Sequence, residues 1–235
     1  MQPTLINLLS AACFKTGAHP FSYQKNWISA SRGSVRVLTK MRQCGADWFF
    51  SLEALSDALA TGRNQIFLGC GSAHSQANRA YINALLNQAV PQLQNHVASM
   101  TDYCLVLTNG AHIYFIDPES HCAALHGNVY VSEYAWADSP KNIIALARGL
   151  SMHARYHATY YTTPSPSPEA WREYKKLTAR SSTTSMTFTA DDAAASGAAL
   201  FDDEWLNSMK KEFSAEDWKM LFMCQWPQAD KEQLA

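Results

Sequence analysis

Residues 35–47 read VRVLTKMRQCGAD, a β-branched run that reads as a buried strand, then a lysine, a tight turn with one glycine, and the start of a helix. Such a turn can cradle phosphate, because backbone N–H groups and the positive end of the helix dipole converge on it. The usual form is GxxxxGK[ST], with the lysine on the β and γ oxygens and the hydroxyl on a magnesium ion. Here the frame is KxxxxGAD: Lys40 stands at the first-glycine position, Ala46 where lysine is usual, and Asp47 where the hydroxyl belongs.

A second stretch with chemistry is GNVYVSEYAW, residues 127–136. Enzymes that hydrolyse a nucleotide bound at a phosphate loop carry a second buried strand ending in an acidic pair. Its aspartate holds the magnesium shell and its glutamate orients or deprotonates the attacking water. Val129, Tyr130 and Val131 lead into Ser132 and Glu133, so the glutamate is present and a serine replaces the aspartate. Across the two motifs one hydroxyl and one carboxylate remain, exchanged in position.

Other residues invite chemistry less strongly. His153 and His157, read as one helical turn apart, amount to half a zinc site with no third ligand at matching spacing, and exposed helix histidines explain them more simply. Cys44, in the loop near a helix N-terminus, is either a thiol of lowered pKa or a small apolar filler, and the second reading is the simpler. The seven tryptophans read as packing residues rather than base-stacking platforms. Arg63, Arg79, Arg148 and Arg155 are candidates for a finger reaching a neighbour's γ-phosphate.

These residues need a framework to position them. Strand-like runs recur at 35–39, 65–70, 103–107, 112–116, 128–131 and 158–162, with helix-length segments at 48–60, 75–88 and 141–153. Strands alternating with helices predict a largely parallel sheet covered on both faces. Asn109-Gly110 between two apolar runs predicts an inserted hairpin over 103–117. After TTPSPSP the composition shifts toward Ser, Thr, Ala and charge, and the tail carries helix signals at 201–211 and 214–223, with Ser214 as cap and Asp217 in the reach-back position. The 235 residues, 47% apolar, can bury a sizeable core without metals or disulfides. A formal net charge of −1 excludes a global basic field for nucleic acid, and the six cysteines form no CxxC pair, which predicts free thiols in a reducing compartment. No signal peptide is recognisable, and no stretch reaches the roughly 20 apolar residues that span a bilayer.

Several stretches match a known pattern in order: Tyr23-Gln24 before the first strand, Lys40 followed by RQCGAD (42–47), TGRNQIFL (61–68), NGAHIYF (109–115), HGNVYVSEYAW (126–136), Thr162-Thr163-Pro164, and LFMC (221–224). Together they resemble the ATPase domain of the large terminase subunit of tailed bacteriophages, the motor that pumps DNA into proheads. A loop lysine displaced to the start of the loop belongs to that family's pattern.

The resemblance implies an α/β P-loop NTPase-like fold, with a mainly parallel sheet flanked by helices, a hairpin insertion and a small C-terminal helical subdomain. The ATPase core is then expected over 1–164 and a helical lid or linker over 165–235. It implies ATP and magnesium as ligands. Gln24 is expected near the adenine, Lys40 and Arg42 on phosphates, and Gln43, Cys44, Gly45, Ala46 and Asp47 in the phosphate loop. Asp47 and Ser132 are expected at the magnesium ion, Glu133 as the catalytic carboxylate, and Thr162 and Thr163 coupling hydrolysis to movement. The implied partners are double-stranded DNA and a small terminase subunit or portal and prohead, in an oligomer in the host cytoplasm and away from membranes.

This sequence departs from the family's pattern at Asp47, where the family has threonine, and at Ser132, where it has aspartate. From the sequence after Trp226, no carboxylate-rich nuclease domain is expected. Two readings stay open: a working ATPase with exchanged magnesium ligands, or a catalytically degenerate module that binds packaging components and regulates packaging.

Overall fold

The β-branched and aromatic runs form strands that are buried along most of their length, and their side chains alternate between two apolar layers. The structure, a computed structural model, describes residues 4–16, 20–30, 33–120, 122, 124–196 and 201–229. The strands are β1 (Val35–Lys40), β2 (Gln65–Gly69), β3 (Val97–Met100), β4 (Cys104–Leu107), β5 (His112–Ile116), β6 (Asn128–Ser132), β7 (Ala158–Thr162) and β8 (Thr183–Phe188). They make one sheet in the order β3-β4-β5-β2-β6-β7-β1-β8. Pairings from β5 through β8 are parallel, and β3-β4 and β4-β5 are antiparallel.

The helices are α1 (Leu5–Thr16), α2 (Ser22–Ser29), α3 (Ala46–Thr61), α4 (Ser72–Ala84), α5 (Pro140–Leu150), α6 (Pro168–Thr178), α7 (Ala190–Ala195), α8 (Asp203–Glu212) and α9 (Ala215–Leu221). One core layer joins Leu38, Phe67, Tyr130 and Tyr161 to residues of α1, α3 and α9. The other joins Val37, Ile66, Val131 and Tyr160 to α5 and α6.

The expected hairpin is β4-β5. Gly110 sits at φ 88°, in the left-handed region the turn needs. Asn109 Nδ2 donates to the carbonyls of Ala58 (2.9 Å) and Leu59 (3.1 Å), so the turn also caps the end of α3. No described helix is long and apolar enough to cross a membrane.

The structure departs from the sequence-based expectations in three places. The stretch from 165 onward is not purely helical: β8 lies within it and pairs in parallel with β1, so residue 164 is no boundary of the sheet. TTSMTF shows no strand pattern in the sequence because an edge strand with one fully buried residue carries little apolar signal. Trp226 likewise belongs to the apolar layer of Val37, Ile66 and Val131; residues 197–200 and 230–235 of that stretch lie outside the described residues. The second departure is β3, which adds a third antiparallel strand beyond the hairpin. The third is α5, which ends at Leu150, so His153 and His157 share no helix face. His153 instead meets His126, ring centroids 6.3 Å apart. Among the described residues no group of three or more His, Cys, Asp or Glu side chains can hold a metal ion.

A buried ionic cluster joins β1, β6 and β7 to α2 and α3 on one face of the sheet. Arg36 Nη2 pairs with Glu53 Oε1 at 2.6 Å, and its guanidinium lies over the rings of Trp27 (5.3 Å) and Tyr130 (5.9 Å). Arg36 Nε donates to Thr159 Oγ1 (2.9 Å), while Tyr130 OH (3.1 Å) and Trp27 Nε1 (3.0 Å) donate to Glu53.

Candidate functional site

The loop begins where β1 ends. From Lys40 the chain turns through Met41–Gly45 into α3, with Gln43 at φ 58° and Gly45 at φ 72°. Left-handed residues interrupting such a turn gather N–H groups into an anion-binding concavity ahead of a helix N-terminus. Its backbone is braced from outside: Met41 N donates to Phe188 O (2.8 Å), Arg42 N to Leu221 O (3.1 Å) and Tyr23 OH to Cys44 O (3.0 Å). The loop opens on a cleft of about 630 Å³, lined by Lys40, residues 42–48, Glu133 and Trp136, and by His74 and Tyr81 of α4.

The strand order brings the two motifs together. β7 lies between β1 and β6, so its end, Thr162-Thr163, stands between Lys40 and Glu133. Lys40 Nζ is ion-paired with Glu133 Oε1 and is 3.4 Å from Thr163 Oγ1. Glu133 Oε2 accepts from Thr163 N (3.0 Å) and Thr162 Oγ1 (3.2 Å). Glu133 sits at φ 52°, a costly conformation for a residue with a Cβ, held by its N–H bond to Tyr161 O (2.8 Å) and by the clamp on its carboxylate. Burial works against both charges. The Lys40 ammonium, with the hydrogen bonds from Lys40, Thr162 and Thr163, nevertheless holds the Glu133 carboxyl below its usual range. Glu133 in turn holds Lys40 above its own.

Asp47 lies in the first turn of α3, and its carboxylate reaches across to the neighbouring strands. Asp47 Oδ1 accepts from Ser132 Oγ (2.9 Å) and Tyr161 OH (2.8 Å). Among the described residues no loop N–H donates to this carboxylate, so it does not fill the phosphate cradle. Asn78 Nδ2 (3.1 Å) and Ser51 Oγ (2.7 Å) donate to the Asp47 carbonyl and fix the turn beneath it. One carboxylate and one hydroxyl in contact form a hard-oxygen set that fits a magnesium ion completed by water and phosphate.

Residues 37–232 match the family model described as terminase large subunit, T4likevirus-type, N-terminal. The chain belongs to this terminase family. It is 31% identical to the terminase ATPase subunit of Escherichia phage P2 over 235 aligned residues, 88% of this chain and 38% of that relative, so it spans well under half of the relative's length. The large terminase of bacteriophage HK97 superposes with a TM-score of 0.70 at 12% identity, over 87% of this chain and 50% of that one. A large terminase from a thermophilic bacteriophage, solved in complex with ADP, gives 0.68 at 12% identity, over 88% and 53%. These likenesses establish the fold.

Within this terminase fold, Lys40, Arg42, Gln43, Cys44, Gly45, Ala46, Asp47 and Glu133 all line the cleft. Ser132, Thr162 and Thr163 stand buried directly behind it. Gln24 is not among the lining residues but lies beside the loop: its Oε1 accepts from Phe21 N (3.0 Å) and its Nε2 donates to Tyr23 OH (3.3 Å), capping α2, with Nε2 4.0 Å from where a Cβ on Gly45 would sit. Cys44 is buried, and burial pushes its thiol up to about 11, in keeping with a small packing residue.

Four cleft residues escape the sequence reading: Trp48, which directly follows Asp47, with Trp136, His74 and Tyr81. Trp136 is 39% exposed, donates from Nε1 to Thr163 O (3.0 Å) and carries the Arg42 guanidinium 5.4 Å above its ring. Its place three residues after Glu133 is the available signal. His74 and Tyr81 have none, since only the packing of α4 beside α3 brings them to the cleft.

None of the candidate arginines lines this chain's own cleft. Arg63 pairs with Asp57 (3.0 Å), Arg79 with Asp102 (3.0 Å), and Arg155 lies over Tyr156 (4.7 Å). Arg63 and Arg155 precede β2 and β7, at the end of the parallel strands away from the cleft. Arg148, on α5, faces the buried Tyr160.

Proposed function

We propose that this chain binds magnesium-ATP in the cleft and is the ATPase part of a terminase large subunit, whose hydrolysis drives double-stranded DNA into proheads. The observation that carries this reading is the direction of Asp47. Its carboxylate is turned onto Ser132 and Tyr161, which leaves Lys40, Arg42 and the turn through Gly45 lining a cleft of about 630 Å³. The two departures from the family pattern touch each other, as an exchange of ligands between loop and strand requires. The alternative, an interaction module without nucleotide, needs the carboxylate in the cradle. The name of the phage P2 relative and the ADP complex of the thermophilic-phage terminase support the same reading.

In this mechanism the loop N–H groups, Lys40 and Arg42 bind and orient the phosphates. Asp47 and Ser132 would hold magnesium, which when bound neutralises phosphate charge. Glu133 orients the attacking water, and Lys40 leaves Glu133 for phosphate as ATP binds. Thr162 and Thr163 grip the Glu133 carboxylate and carry its movement into β7 and the loop to α6. The working assembly would be an oligomer in the host cytoplasm with a small terminase subunit or portal.

Two measurements test the site. Lys40→Ala should weaken magnesium-ATP binding in calorimetry by about 10–10²-fold, as expected for losing a charge-assisted contact. Unchanged affinity in a folded variant removes the loop from the mechanism. Asp47→Thr and Ser132→Asp should each weaken magnesium-ATP binding, whereas the double variant restores the ordinary hydroxyl and aspartate pair. The double-mutant cycle should therefore depart from additivity by more than about 1 kcal/mol, and additive losses would show that the two side chains do not share an ion.

A further inference from the structure

We infer that Tyr161 is a positioning residue for the magnesium-facing carboxylate: its hydroxyl, together with that of Ser132, holds Asp47 by Oδ1 and leaves Oδ2 for the ion. The assignment rests on the nucleotide-site reading above and adds a residue to it.

Ser132 and Tyr161 are register partners on the adjacent parallel strands β6 and β7, so their side chains rise side by side on the face that α3 covers. Tyr160, one residue earlier, points into the opposite layer. Both hydroxyls converge on the same carboxylate oxygen, at 2.8 Å from Tyr161 and 2.9 Å from Ser132. Charge-assisted bonds of this kind are short and directional, and two on one oxygen fix the rotation of the carboxylate, which a single bond would leave free.

Tyr161 is fully buried and its ring packs on Phe50, centroids 4.6 Å apart, so the hydroxyl has little freedom to move. Ser132 has a short side chain and a single hydroxyl, and it replaces a carboxylate that would have taken its own place at the metal. With Asp47 as the carboxylate instead, a second donor is needed to hold it in place. Tyr161 supplies that donor.

The test is Tyr161→Phe, which keeps the ring in its packing against Phe50 and removes only the hydroxyl. ADP affinity is measured by calorimetry for wild type and variant, in excess EDTA and in millimolar magnesium, alongside thermal unfolding. The expected result is a Tm near that of wild type, unchanged affinity in EDTA, and a magnesium-dependent gain in affinity that falls by about tenfold, the scale of one charge-assisted hydrogen bond. Placed in an Asp47→Asn background, Tyr161→Phe should have no further effect on the magnesium dependence, because Tyr161 acts only through the carboxylate.

A wild type that binds ADP with a magnesium-dependent gain, next to a variant that keeps the full gain, overturns the role of Tyr161 and leaves the nucleotide reading standing. Equal losses with and without magnesium also overturn it, since they mark general damage. A wild type that binds no nucleotide under either condition overturns the reading itself and this assignment with it.

Discussion

Glu133→Gln should lower ATP hydrolysis by about 10²–10⁴-fold, the range for a group that moves or orients a proton in the transition state, while nucleotide stays bound. The amide keeps the size of the carboxylate and can still accept from Thr162 Oγ1 and Thr163 N, now 3.2 and 3.0 Å from the carboxylate oxygen. It loses the charge that pairs with Lys40. Since in the proposed mechanism Lys40 exchanges Glu133 for phosphate when nucleotide enters, the substitution removes a competitor. ADP affinity should rise rather than fall. Single-turnover hydrolysis and ADP calorimetry on the same preparation read both effects. Hydrolysis at the wild-type rate would exclude the role, and weaker ADP binding would show that the ion pair does not compete with phosphate.

The ion pair also sets a pH dependence in the nucleotide-free protein. Glu133 titrates below its usual range, so its contribution to stability is present above the unfolded value of about 4.3 and is lost as pH falls through the lower folded value. Lys40 titrates above its usual range, so its contribution is complete below about 10.4 and is lost as pH rises through the higher folded value. Between these limits the pair's contribution should be flat.

Glu53→Ala should destabilise the fold by about 3–5 kcal/mol, because it leaves the Arg36 guanidinium buried without its counter-charge. Arg36 is 1% exposed and Glu53 likewise, and the carboxylate also receives Tyr130 OH and Trp27 Nε1, so three donors lose their acceptor at once. A fall in Tm of about 6–20 °C follows for a chain of this size. Replacing both partners, Arg36→Met with Glu53→Leu, should recover most of the loss, because the larger cost is the unpaired charge. Calorimetric unfolding of the three proteins decides it: a loss below about 1 kcal/mol in Glu53→Ala would mean that water reaches Arg36.

Much of the framework is legible in the chain itself. The strand that feeds the loop, the second strand ending in Glu133, the hairpin at Asn109-Gly110 and the crossover helices follow from local signals: β-branched runs, a turn dipeptide and helical spacing. The edge strand β8 is not legible, because TTSMTF buries little and its place beside β1 comes from pairing alone. Gln24 shows the same limit. Its position in the pattern suggests a base contact, and the cap it forms on α2 is visible only in the fold.

The order of residues along the chain specifies which groups are available: a lysine ahead of the loop, a single loop glycine, and a hydroxyl and a carboxylate in exchanged places. Which of these groups meet is a property of the folded sheet. Asp47 lies 85 residues from Ser132 and 114 from Tyr161, and Lys40 lies 93 from Glu133. No local propensity encodes those contacts. They arise because parallel pairing sets β7 between β1 and β6, and because alternation along β7 sends Tyr161 toward α3 and Tyr160 away from it. The direction of the Asp47 carboxylate, on which the proposed nucleotide site depends, is set by two hydroxyls on strands that the chain reaches only after it has left the loop.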